Sequence, residues 1–143
     1  MNLTDIFPKV ENAYGQTFKN TIDGGFTASW QTSDYSPSPS QTIFLKRYDG
    51  FGQLQNGPIS LSGSALGWDA DVDELEILGL DNGQYLVLSD KGVLGSTSTL
   101  TAQFINPDGS IDSTAIDISN PPNSLKEVSL SALENSRFIV SWR

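Results

Sequence analysis

Any chemistry in this sequence would have to come from carboxylates, hydroxyls and indoles. The chain contains no His and no Cys, which removes the commonest general base, thiolate metal sites and disulfides together. The densest acidic run is Asp69-Ala70-Asp71-Val72-Asp73-Glu74. Carboxylates at alternate positions can gather oxygen ligands around calcium, so Asp69, Asp71 and Asp73 are the candidate metal ligands. The run departs from a helix-loop-helix calcium loop. Such a loop needs Gly at its sixth position and an acid at its twelfth, where this chain has Glu74 and Leu80. The competing reading is an acidic loop entering a strand, with Val72, Leu75 and Ile77 facing inward. Trp68 adjoins the run, and an indole beside carboxylates can stack on and hydrogen-bond a sugar ring. Tyr35, within Ser33-Asp34-Tyr35-Ser36-Pro37-Ser38-Pro39-Ser40, is the second candidate for ligand binding, because a Ser/Pro-rich segment reads as an exposed loop. Packing is the ordinary role of an aromatic, and the repeat position shared by Trp30 and Trp142 assigns both to a core.

No catalytic residue is assigned. Thr21-Ile22-Asp23-Gly24-Gly25-Phe26-Thr27 approaches the Ser/Thr-x-Asp-x-Gly-x-Thr-Trp turn of sialidase-type propellers, but Trp30 falls too late in the chain. That turn is in any case a structural hairpin. Glycoside hydrolysis needs two carboxylates set across a cleft, and the spacing singles out no such pair. The expectation is a protein that is not an enzyme, with a propeller glycosidase as the weakest alternative.

The charge balance narrows the partners. Eight basic residues against seventeen acidic ones leave a net charge of −9. Phosphate backbones and anionic lipid surfaces both call for clustered Lys and Arg, so neither nucleic acid nor membrane is expected as a partner. No apolar run approaches the roughly 18 residues that cross a bilayer as a helix. Met1-Asn2-Leu3-Thr4-Asp5 lacks the basic-then-apolar start of a signal peptide. Beyond the calcium candidates, no cofactor is expected.

The elements that must hold these residues are strands. Charged residues make up only 17% of the chain, and the many Ser, Thr, Gly and Asn suit turn-rich β-structure better than helices with Lys/Glu faces. The chain also repeats itself. At an offset of 57, Ile43 aligns with Leu100, Gly52 with Gly109, Leu54 with Ile111, Ile59 with Ile116 and Leu61 with Ile118. A second motif occurs three times: Phe26-Thr27-Ala28-Ser29-Trp30, Tyr85-Leu86-Val87-Leu88-Ser89 and Phe138-Ile139-Val140-Ser141-Trp142. Its alternation marks a strand. The middle copy is apolar on both faces, which predicts a sheet sandwiched between two others. Turns rich in Asp, Asn and Gly (Asp23-Gly24-Gly25, Asp81-Asn82-Gly83, Asp49-Gly50-Phe51-Gly52, Asn106-Pro107-Asp108-Gly109) predict tight hairpins. Each unit therefore reads as four antiparallel strands in a meander. The predicted fold class is all-β, with propeller-like blades that are incomplete or completed by another chain.

Gly24-Gly25-Phe26-Thr27-Ala28-Ser29-Trp30-Gln31, followed by Lys46-Arg47-Tyr48-Asp49-x-x-Gly52, resembles a repeat of very large bacterial secreted and surface proteins. In those proteins a Gly-Gly-Phe-Val-Val-x-Trp-Gln strand precedes Gln-Arg-Phe-Asp-x-x-Gly. The resemblance covers about 110 residues and weakens where Ser89 replaces the Trp. It implies propeller-like blades, an extracellular or cell-surface location, company with calcium-binding adhesin repeats, and an adhesion or glycan-recognition role. The alternative role is a purely structural or assembly unit whose exposed strand edges pair with another chain, a second copy included.

The expected organisation is a closing strand and linker over residues 1–13, a first unit over 14–62, a loop over 63–71, a second unit over 72–119 and a partial third unit over 120–143. A blade array that stops between strands exposes unpaired edges, so the expectation is a piece of a longer chain or blades completed by other subunits, with a self-contained domain that is not a propeller as the third alternative.

Overall fold

The computed structural model describes residue 6 and residues 13–34, 40–62, 75–91, 99–112, 116–119 and 128–142. Every element in them is a strand. β1 (Ala13–Asn20), β2 (Phe26–Asp34), β3 (Ser40–Tyr48) and β4 (Leu54–Ser62) form one sheet, and β5 (Leu75–Gly79), β6 (Tyr85–Lys91), β7 (Thr99–Ile105) and β8 (Ile116–Ser119) form a second. β9 (Ser129–Leu133) and β10 (Arg137–Ser141) make a two-stranded third sheet. All pairings are antiparallel between chain neighbours, so each sheet is a meander.

Turn chemistry sets the register. Phe26 pairs with Asn20, Tyr85 with Gly79 and Phe138 with Ala132, so the opening aromatic stands equally far from the turn in all three hairpins. In the first two turns the left-handed position is taken by Gly24 (φ 82°) and Gly83 (φ 89°), where a side chain would crowd the backbone. The third turn reaches positive φ with Asn135 and Ser136 instead. Asp23 and Asn82 brace equivalent turns, each accepting from the backbone N–H two residues on, at 3.2 and 3.0 Å. The later hairpins also match. Gly52 N–H donates to Asp49 C=O and Gly109 N–H to Asn106 C=O, while Tyr48 faces Leu54 as Ile105 faces Ile111. Gly52 and Gly109 thus occupy equivalent places, as the sequence offset requires.

The sheets stack face to face. Ile43, Leu45, Ile59 and Leu61 of the first sheet pack on Ile77, Tyr85, Val87 and Ile105 of the second. The other face of the second sheet, including Leu78, Leu86, Leu88 and Leu100, packs on Val128, Leu130, Phe138 and Val140 of the third. The middle sheet is therefore apolar on both sides, which is why β6 shows no polar alternation. A third cluster covers the outer face of the first sheet, where Ala28, Trp30 and Tyr48 meet Ile6. The remaining residues of the expected closing strand, apart from Ile6 and Ala13, lie outside the described ones. Gly79 permits the closest approach between sheets: a Cβ there would sit 2.3 Å from Thr27 Oγ1.

Two expectations need correction. Trp30 is buried (2% exposed), but Trp142 at the equivalent position is 41% exposed. Ile59 is 7% exposed while its counterpart Ile116 is 51% exposed. The third sheet has two strands among the described residues; they bury Leu100 and Ala102 of β7 but leave Ile116 of β8 and Trp142 partly exposed.

Candidate functional site

The meander sorts the connections by end. Hairpin turns β1–β2, β3–β4, β5–β6, β7–β8 and β9–β10 gather at one end of the stack. The longer connections leave from the strand ends at the other, among them Asp34, Ser40, Ser62 and Leu75. Tyr35, Trp68, Asp69, Asp71 and Asp73 belong to those longer connections and lie outside the described residues. Among the described residues, no group of three acidic side chains is arranged to hold a metal ion.

At the turn end the first two sheets enclose a cleft of about 500 Å³ lined by Asp23, Arg47, Asp49, Gln55, Asn56, Gly83 and Pro107. Arg47 runs between the sheets. One guanidinium nitrogen donates to Leu80 C=O in the second sheet, and the other meets Asp23 Oδ2 at 2.9 Å. Asn56 Nδ2 donates to Pro107 C=O at 2.7 Å, a second tie across the same seam. The Tyr85 hydroxyl is buried near Asn56 and Arg47 without a well-formed hydrogen bond, and burial raises its pKa.

The carboxylates in this cleft are occupied. Asp23 Oδ1 accepts from Thr21 Oγ1 at 2.5 Å and from Gly25 N–H. Those bonds and the Arg47 guanidinium hold its carboxyl at about 2, below the usual 3.8. Asp49 accepts from the N–H groups of Phe51 and Gln53 and from the Gln55 amide. Asp81 and Asp108 are also lowered, chiefly by the hydroxyls of Ser136 and Ser110. Acid–base catalysis at neutral pH wants carboxyl groups pushed up toward 7. Asp23, Asp81 and Asp108 are instead pushed down by the turns they hold together.

On the strand side, Lys19 and Glu76 form an ion pair at 2.5 Å between β1 and β5. A groove of about 470 Å³ there runs along the first strands of all three sheets, past Phe18, Lys19, Leu78 and Leu130.

The remaining feature is the two-stranded third sheet. β10 pairs with β9 on one edge and with nothing described on the other. Ile139 on its outer face is 55% exposed, and Leu133, Trp142 and, in β8, Ile116 are also exposed apolar side chains. The alignment of Ile116 with Ile59 carries this signal, but only once the third unit is counted strand by strand. The bridging role of Arg47 has no equivalent signal, because a charged residue on an alternating strand reads as solvent-facing. No known protein family, curated protein or solved structure matches the chain.

Proposed function

We propose that this protein is a non-enzymatic interaction module, of the binding or adhesion kind found in secreted and surface proteins, and that it works through its two-stranded third sheet. The observation that carries this reading is the set of exposed apolar side chains on and beside that sheet: Leu133 and Ile139 on its outer face, Trp142 at the end of β10 and Ile116 in β8. Exposed apolar patches on folded domains commonly mark contact surfaces, and unpaired strand edges recruit further strands. The occupied, acid-shifted carboxylates support the non-enzymatic part. The resemblance of the Gly-Gly-Phe-x-x-x-Trp and Lys-Arg-Tyr-Asp-x-x-Gly segments to bacterial surface repeats supports the extracellular setting. A purely structural role, as a stacking unit within an assembly, uses the same surface. Glycan recognition draws its support from Trp68 and Tyr35 in the sequence.

Sedimentation velocity over a hundred-fold concentration range tests the reading. Association is expected for the natural chain and should disappear in the Ile116→Asp, Ile139→Asp double variant, whose positions are already solvated. A chain that stays monomeric throughout and captures nothing on a glycan array rules the module out. Glycan binding lost in Trp68→Ala would instead favour the recognition loops.

A further inference from the structure

We propose that the cleft at the turn end of the seam between the first and second sheets binds a neutral sugar ring. The site is distinct from the third-sheet contact surface, and from Trp68 and Tyr35.

The fold does not call for the polar groups of this cleft. At the offset of 57, Phe104 aligns with Arg47, Asn106 with Asp49 and Asp108 with Phe51. The second seam places Phe104 against Phe138, edge-on at 6.1 Å, within an apolar cluster. Rings alone therefore fill a seam between such sheets. The first seam instead opens into about 500 Å³, lined by Asp23, Arg47, Asp49, Gln55 and Asn56 with Pro107 of the second sheet. That volume lies in the range of small-molecule sites.

The hydrogen bonds already made show what the cleft has left. Arg47 uses one N–H on Leu80 C=O and one on Asp23, and its other N–H groups have no described partner. Asp23 and Asp49 each accept three bonds, and a carboxylate offers about four positions. Gln55 donates one amide N–H to Asp49 and Asn56 donates one to Pro107 C=O. Each amide retains an N–H and a carbonyl oxygen. Near Asn56 and Arg47 the Tyr85 hydroxyl is buried, with the residue 0% exposed, and lacks a partner among the described residues. A leftover buried polar group calls for a partner from outside the chain or a local rearrangement. A ligand hydroxyl that donates to Pro107 C=O supplies the second, because it releases the Asn56 amide toward Tyr85.

Donors and acceptors are thus left interleaved around one opening, on turns of both sheets. A cation would meet the Arg47 guanidinium, and an anion would meet Asp23 and Asp49. The matching ligand is neutral, with groups that each donate and accept. A hydroxyl does both, and a compact ring bearing several is a sugar. Phe51 supplies an apolar contact. It shares a turn with Asp49, which accepts its N–H at 2.9 Å, and its side chain is left in water at 93% exposure. The C–H face of a pyranose has such a ring to pack on.

The experiment is ligand-observed saturation-transfer NMR on the full chain. The probes are the methyl glycosides of glucose, galactose, mannose and N-acetylglucosamine, with titration calorimetry on any that respond. At least one is expected to bind. Phe51→Ala and Gln55→Ala, both at exposed positions, should each weaken binding roughly five-fold or more at an unchanged urea midpoint. Arg47→Phe, which gives the first seam the filling of the second, should abolish it; if that variant fails to fold, the two exposed substitutions decide. Trp68→Ala and the Ile116→Asp, Ile139→Asp double variant should bind as the natural chain does. Silence from all four glycosides, binding indifferent to both Phe51→Ala and Gln55→Ala, binding lost in Trp68→Ala, or tighter binding of methyl glucuronide or adenosine each overturns the proposal. The third-sheet reading is judged separately by sedimentation, since Phe51 and Gln55 lie outside that sheet.

Discussion

The seam between the first and second sheets and the seam between the second and third are built on one register and filled differently. In the first, Arg47 crosses to Leu80 C=O and Asp23, and Thr27, Ser29 and Gln31 are buried beside the aliphatic cluster. In the second, the residue aligned with Arg47 is Phe104, which meets Phe138 edge-on at 6.1 Å within an apolar cluster. A stacked-sheet core tolerates either filling, although the polar one is only partly partnered: Thr27 Oγ1, Gln31 Oε1 and the Tyr85 hydroxyl are buried without a hydrogen-bond partner, and such a group costs about 1–3 kcal/mol. The second difference is coverage. Ile59 and Leu61 of β4 are both buried in the first seam, whereas in the second Leu100 and Ala102 of β7 are buried and Ile116 of β8 is half exposed. Composition of a seam and its completeness are thus independent variables.

The strongest way to break this comparison is at the aligned isoleucines. Ile59→Ala should cost about 2–4 kcal/mol by urea denaturation, as for a buried aliphatic truncation. Ile116→Ala should cost about 0.5 kcal/mol or less, because half of that side chain is already in water. Equal losses would mean that Ile116 is covered after all. Gly79→Ala comes next: the new methyl would strike the Thr27 hydroxyl and part the first seam alone, at about 1–3 kcal/mol. Arg47→Ala should cost about 2 kcal/mol by leaving Leu80 C=O without its charged donor. The second seam should be untouched, with unchanged amide exchange at Leu86 and Leu88. The smallest effect is that of Asp23→Asn. Asp23 has a folded pKa of about 2 against an ordinary 3.8, so its stabilising bonds are complete above pH 4 and are lost as pH falls toward 2. The urea midpoints of the natural chain and the Asn variant should therefore differ at pH 7 and converge near pH 2.

Strand order and turns were legible because each is set locally. Alternation fixes which face Phe26, Val87 and Phe138 occupy, and glycines at positive φ fix where the chain reverses. The doubly apolar β6 likewise announced a sheet covered on both sides. What the sequence could not convey was partnership across the stack. Trp30 and Trp142 look alike in one dimension, yet only the first has Phe44 against it. Arg47 reads as an exposed cation until the neighbouring sheet brings Leu80 C=O to it. Contacts between sheets depend on which layers are present, and a strand pattern records only its own layer's faces.

Among the described residues each sheet is drawn from one stretch of chain, and no strand crosses into a neighbouring layer. Lengthening such a protein by tandem gene duplication disturbs no existing hydrogen-bond ladder and adds a single new seam, whose filling can then drift as Arg47 and Phe104 have. Because every ladder closes between adjacent segments, a nascent layer can also form as soon as its own residues emerge, before the next is synthesised.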